Sequence, residues 1–101
     1  MLKGSDRMHL RGLAHQLKPV VQVGKQGLIK NLITTVSQAL DAHELIKVKF
    51  VDHKQQREEL SREIATRTQS ELAGLVGNIA ILYRQHNDAE KRKIRLPQRE
   101  H

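Results

Sequence analysis

The 101-residue chain contains no cysteine and only two aromatic residues, Phe50 and Tyr83. Without thiols it can form no disulfide, no thiolate zinc site and no cysteine nucleophile. That composition suits a reducing compartment, and a cytoplasmic location is expected. Two aromatics are too few for the exposed rings on which RRM and OB folds stack bases. Both fall in expected strands, where core packing is the commoner role. No run approaches the roughly 20 consecutive apolar residues of a membrane span. Met1 to Asp6 carries no apolar signal core, so neither insertion nor export is expected. Acidic residues are also scarce near the start, where Asp6 is the single acid of the first 30 positions.

What is present is basic charge. Eighteen Lys and Arg face eleven Asp and Glu, a formal net charge of +7, with a pI near 10.2. Residues 1–30 hold six basic residues against one acid, and residues 76–101 hold six against three. The middle, residues 31–75, holds six against seven and is close to neutral. Such segregation can gather both basic ends on one surface, the footprint of a polyanion partner. A solvated basic surface is the plainer alternative.

Apolar residues make up 38% of the chain, low for a compact domain but strongly patterned. Ser5 or Asp6 is placed to cap a first helix running to about Gln16, with Met8, Leu10, Leu13, Ala14 and Leu17 as its apolar side. Lys18-Pro19 breaks that register, and Val20, Val21 and Val23 read as a short buried strand. From Leu28 the period changes. Leu28, Ile29, Leu32, Ile33, Val36 and Leu40 recur at helical spacing. In the next strand Ile46, Val48 and Phe50 share one face, and Lys47 and Lys49 share the other. A third helix is expected from about Gln55 to Thr68. Leu72 to Val76 and Ile79 to Tyr83 flank Gly77-Asn78, a hairpin signal. From about Gln85 the chain reads as a polar, basic, partly ordered tail. The order α-β-α-β-α-β-β implies a four-stranded mixed sheet with packed helices, an α/β fold in one domain.

Between the first strand and second helix lies Gly24-Lys25-Gln26-Gly27. A helix N-terminus offers unpaired N–H groups and the positive end of the macrodipole, which attract phosphate. The glycines permit tight backbone geometry and remove side chains that would hold a sugar-phosphate chain away. Lys25 adds a charge at the tip, Gln26 a donor, and Lys18 and Lys30 extend the patch. A Gly-x-x-Gly turn by itself is equally suited to a purely structural role. It is not a nucleotide P-loop, which needs four residues between its glycines followed by Lys and Ser/Thr. Nor is it the dinucleotide fingerprint, whose third glycine would fall at Lys30.

Other basic residues have two readings each. Lys3, Arg7 and Arg11 are four apart and align along one helical stripe, a contact surface or a solvated face. Arg84 is equally suited to reach the patch or to cap the sheet edge. In Lys91-Arg92-Lys93-Ile94-Arg95-Leu96-Pro97, Ile94 and Leu96 can pin the segment while Lys93 and Arg95 face outward. The six histidines form no metal-ligand spacing, and no catalytic constellation is visible. No metal, cofactor or enzymatic activity is expected.

The run from Leu10 to Leu28, Leu-Arg-Gly-Leu-Ala-His-Gln-Leu-Lys-Pro-Val-Val-Gln-Val-Gly-Lys-Gln-Gly-Leu, resembles the opening of the CRM domain, named for chloroplast RNA splicing and ribosome maturation. Leu82-Tyr83-Arg84 with Lys93-Ile94-Arg95-Leu96-Pro97 resembles that family's closing segment. The likeness spans nearly the whole chain and is similar to the stand-alone bacterial, YhbY-like members. It implies a fold related to the C-terminal domain of translation initiation factor three. It further implies RNA binding through Gly24, Lys25, Gln26 and Gly27, and association with precursors of the large ribosomal subunit. The inner Gly74 departs from the regular third strand of the family.

The sequence therefore predicts a CRM-like RNA-binding domain over residues 1–97 and a short tail over 98–101, acting on large-subunit rRNA or pre-ribosomal particles; it favours a monomer over an oligomer without fixing the oligomeric state. Gly24, Lys25, Gln26, Gly27, Lys18, Lys30, Arg7, Arg11, Arg84, Lys93 and Arg95 are the expected RNA contacts. The competing reading is a protein-interaction module docking on an acidic ribosomal or translational partner through the basic surface. A DNA-coating protein of similar fold is a third.

Overall fold

Alternation and helical periodicity resolve, in the computed structural model, into three helices and four strands; the structure describes residues 2–96. In chain order these are α1 (Gly4–Ala14), β1 (Val21–Val23), α2 (Lys30–His43), β2 (Leu45–Phe50), α3 (Arg57–Thr68), β3 (Glu71–Val76) and β4 (Ile79–Tyr83). Single 3₁₀ turns at Lys54–Gln56 and Ala89–Lys91 are the remaining elements among the described residues. The strands form one mixed sheet in the order β1-β2-β4-β3. β1 runs parallel to β2, and β4 is antiparallel to both of its neighbours. The expected element order and mixed sheet are therefore the observed ones.

The sheet carries a core on each face. Val23, Val36, Leu40, Ile46, Val48, Phe50, Ile64 and Leu82 pack with α2 and α3 on one side. Leu10, Ala14, Leu45, Ile81, Tyr83 and Leu96 pack with α1 on the other. Phe50 is fully buried, and a Phe→Ala change at such a site costs about 3–5 kcal/mol.

The structure corrects several boundaries. Helix α1 ends at Ala14, and its N-cap is Lys3, whose N–H donates to the Asp6 carboxylate at 3.1 Å. Asp6 thus acts from the third helical position, where a carboxylate also meets the positive helix end. Leu10 and Ala14 are buried, but Met8, Leu13 and Leu17 stay exposed. Helix α2 starts at Lys30 rather than Leu28, because Ile29 takes an extended N-cap conformation (ψ 162°) on leaving the preceding turn. In β3 the pairing with β4 slips between Leu72 and Gly74. Here a Cβ on Gly74 would lie 2.6 Å from Arg11 Cδ, so glycine lets the Arg11 stem cross the strand.

The polar segment after β4 is laid back on the domain rather than left as a tail. Glu44, fully buried, accepts the N–H groups of Lys93 (2.6 Å), Ile94 (3.0 Å) and His86 (2.7 Å) on its carboxylate. Leu96 is buried and Ile94 half-buried, with Lys93 and Arg95 outward as their alternation predicts. Glu44 itself sits at φ 63°. Non-glycine residues in such backbone regions cost on the order of 1–3 kcal/mol, which the charge-assisted bonds offset. The expected boundary at residue 97 lies outside the described residues.

Candidate nucleic-acid interface

Residue by residue, the Gly24–Gly27 turn is built from the end of β1. The Gly27 N–H donates to the Gly24 carbonyl at 3.0 Å, closing a four-residue turn. Gly27 has φ 68°, the left-handed conformation in which a side chain is strained, so the turn itself requires this glycine. Gly24 is different. Its φ lies outside that region, and a Cβ there would meet nothing within 4 Å. Neither backbone geometry nor packing calls for glycine at position 24.

The turn is braced from the segment after β2. Val51 and Asp52 both donate to the Val23 carbonyl, at 3.1 and 3.2 Å. His53, itself at φ 55°, donates from Nε2 to the Lys25 carbonyl at 2.9 Å. Its ring lies 3.6 Å from where a Gly27 Cβ would be. From α3, Arg67 Nη1 donates to the Leu28 carbonyl at 3.2 Å. Arg57 ties the same end of the sheet together, donating from Nε to the Gly77 carbonyl at 2.8 Å. The β4 hairpin is joined there as well, because the Phe50 N–H donates to the Asn78 carbonyl at 2.7 Å.

The α2 N-terminus follows two residues after the turn. It has no side-chain cap and no acid in its first turn, and Lys30 is its first residue. Lys25, Gln26, Lys30 and Lys54 are exposed at this end of the molecule. The result is a positive helix end, a glycine turn and flexible cations side by side, an arrangement suited to a phosphodiester chain.

The structure brings only part of the expected set together. Gly24, Lys25, Gln26, Gly27 and Lys30 are contiguous. Lys18 precedes β1 and so lies at the opposite end of the strand from the turn. Arg84 follows β4 at that same far end, its N–H paired with the Glu44 carbonyl at 2.9 Å. Its guanidinium caps no sheet edge, since β4 is an interior strand; it bonds the carbonyls of Thr68, at the end of α3, and Ser37, in α2, at 2.7 Å each and Asp41 Oδ1 at 2.9 Å. Lys93 Nζ donates to the Ala42 carbonyl at the α2 C-terminus, at 2.9 Å. Arg11 reaches over Gly74 to the Ala73 carbonyl at 3.3 Å, and half-buried Arg7 lies on α1, both on the sheet face away from α2. Arg95 is exposed beside Leu96.

Sequence reasoning missed His53, Lys54, Arg57 and Arg67. A signal for the first two was present. Parallel neighbouring strands end at one edge of a sheet, so the segments after β1 and β2 had to meet. Arg57 and Arg67 arrive from α3 and carried no such signal. Among the described residues no group of three or more His, Cys, Asp or Glu is placed to hold a metal. No helix among them is long and apolar enough to cross a membrane.

Comparison with known proteins agrees with this architecture. The CRS1 / YhbY (CRM) domain model matches residues 2–84. "Probable RNA-binding protein YqeI" of Bacillus subtilis is 35% identical over 98 residues, covering 96% of this chain and all of the relative. An "RNA-binding protein" of Haemophilus influenzae is 35% identical over 99 residues, covering 97% of each. The solution structure of a Staphylococcus aureus protein superposes with a TM-score of 0.80 at 33% identity, covering 96% of this chain and 100% of that one. The fold, the glycine turn after its first strand and the match over nearly the whole sequence together place the chain in the CRS1/YhbY (CRM) domain family.

Proposed function

We propose that this chain is a non-enzymatic RNA-binding protein that grips an RNA backbone with the Gly24–Gly27 turn and assists assembly of the large ribosomal subunit. The observation that carries the reading is Gly24. The fold needs Gly27 but has no use for glycine at 24, whereas a ligand backbone approaching the turn does. The uncapped α2 N-terminus with Lys25, Lys30 and Lys54 supplies the positive charge. The names of the relatives support RNA as the ligand, and the family likeness supports a ribosomal precursor as its source. Lys18, Arg84 and Lys93 lie at the far end, so the primary contact is confined to the turn and its braces.

The test is a salt titration of binding to large-subunit rRNA fragments. Wild-type affinity should fall steeply with salt, log K losing about 0.7 per decade of salt for each single-strand phosphate neutralised. A Gly27→Asp, Lys25→Ala double variant should lose binding while keeping its fold, because aspartate tolerates the left-handed conformation better than most residues. Equal binding by both proteins would leave the turn a structural feature and move the search to protein partners.

A further inference from the structure

At the end of the sheet opposite the glycine turn, an open groove of about 510 Å³ runs between the C-terminal end of α1 and the segment after β4. Leu13, Leu17, Val20, Leu45 and Ile94 line it. Leu13, on the last turn of α1, and Leu17 and Val20, on the link from α1 to β1, are 43%, 40% and 50% exposed. Lys18, His43 and Lys93 also line the groove, and no acidic residue does. Lys18 makes no hydrogen bond or ion pair among the described residues, so its ammonium group is available. We propose that this groove is a docking site for a short acidic segment of a protein partner that presents aliphatic side chains into it.

The chemistry of the lining selects this occupant. A nucleobase wants an aromatic or guanidinium plane to stack on, and the floor here is aliphatic. Aliphatic side chains at i, i+3, i+4 spacing fill such grooves in helix-in-groove recognition. The cations at the edge then favour carboxylates flanking those side chains and oppose basic segments, which sets partner choice. Residues 97–101 of this chain are Pro-Gln-Arg-Glu-His and supply no leucine, isoleucine, valine or methionine. A second copy would bring its own lysines against Lys18 and Lys93, a like-charge clash. Because the groove and the glycine turn lie at opposite ends of β1, a protein partner and RNA can be held together.

The experiment is a ¹⁵N–¹H NMR titration of the full chain with a synthetic helical peptide of about 15 residues, roughly four turns, carrying leucines on one face and glutamates on the flanks. Shifts should appear at Leu13, Leu17, Val20, Leu45 and Ile94 and leave Gly24 to Gly27 unmoved. Lys18→Glu and Leu17→Ser, both at exposed positions, should each weaken the peptide about tenfold, and the uncharged Leu17→Ser change should do so with rRNA affinity unchanged. Replacing the peptide's glutamates by lysines should abolish binding. The proposal is overturned if no shift is seen up to roughly 1 mM peptide, or if the basic peptide binds equally well. It is also overturned if an RNA oligonucleotide shifts the groove residues, or if sedimentation shows that they are covered in a dimer of this chain.

Discussion

Two glycines three positions apart do different work. Gly27 is held at φ 68°, so Gly27→Ala should lower stability by about 1 kcal/mol, read by urea denaturation. Gly24→Ala has room for its methyl group and an unstrained backbone. It should leave stability equal or raise it by about 0.4–1 kcal/mol, by restricting the unfolded chain. The same variant should nonetheless weaken RNA, since the methyl group stands where the phosphate chain is proposed to approach. A Gly24→Ala protein that bound RNA as wild type does would remove the main support for the grip. His53 is the third residue of this set. His53→Ala removes the donor to the Lys25 carbonyl and should reduce RNA affinity several-fold. His53→Gln, with a side-chain N–H able to reach the same oxygen, should recover part of it.

At the scale of elements, the segment after β4 depends on one side chain. Glu44→Ala would leave the N–H groups of His86, Lys93 and Ile94 without their acceptor. Bonds to a charged partner are worth about 1.5–3 kcal/mol each, though not additively. A loss of at least about 2 kcal/mol is expected, a Tm roughly 8–15 °C lower for a domain of this size. Limited proteolysis should then cut first within residues 85–96. Arg84→Ala should behave as a structural change too, lowering stability through Ser37, Thr68 and Asp41 while leaving RNA affinity at the turn intact. The helices and strands were legible because local periodicity dictates them. Ile46, Val48 and Phe50 did face one core and Lys47 and Lys49 the other side. Where Lys30 begins α2 was not legible, because the turn's exit angle depends on contacts from His53 and Arg67. The role of Glu44 left no mark in the local sequence, since its three partners lie 42 to 50 residues away.

For the whole molecule, the charge segregation seen in the sequence is not gathered into one face. The turn and Lys30 occupy one end of the sheet, and Lys18, Arg84 and Lys93 the other. Composition located the basic residues, but only the strand order could say which of them are neighbours. That order, β1-β2-β4-β3, has a further effect. The last strand to be synthesised occupies an interior position, so β3 has nothing to pair with until residues 79–83 have left the ribosome. Nothing before that point can close the sheet, and a chain truncated at Asn78 should show no cooperative unfolding transition. The protein then matures as a single late event, with the glycine turn and the apolar groove at the far end of β1 becoming competent in the same step rather than one after the other.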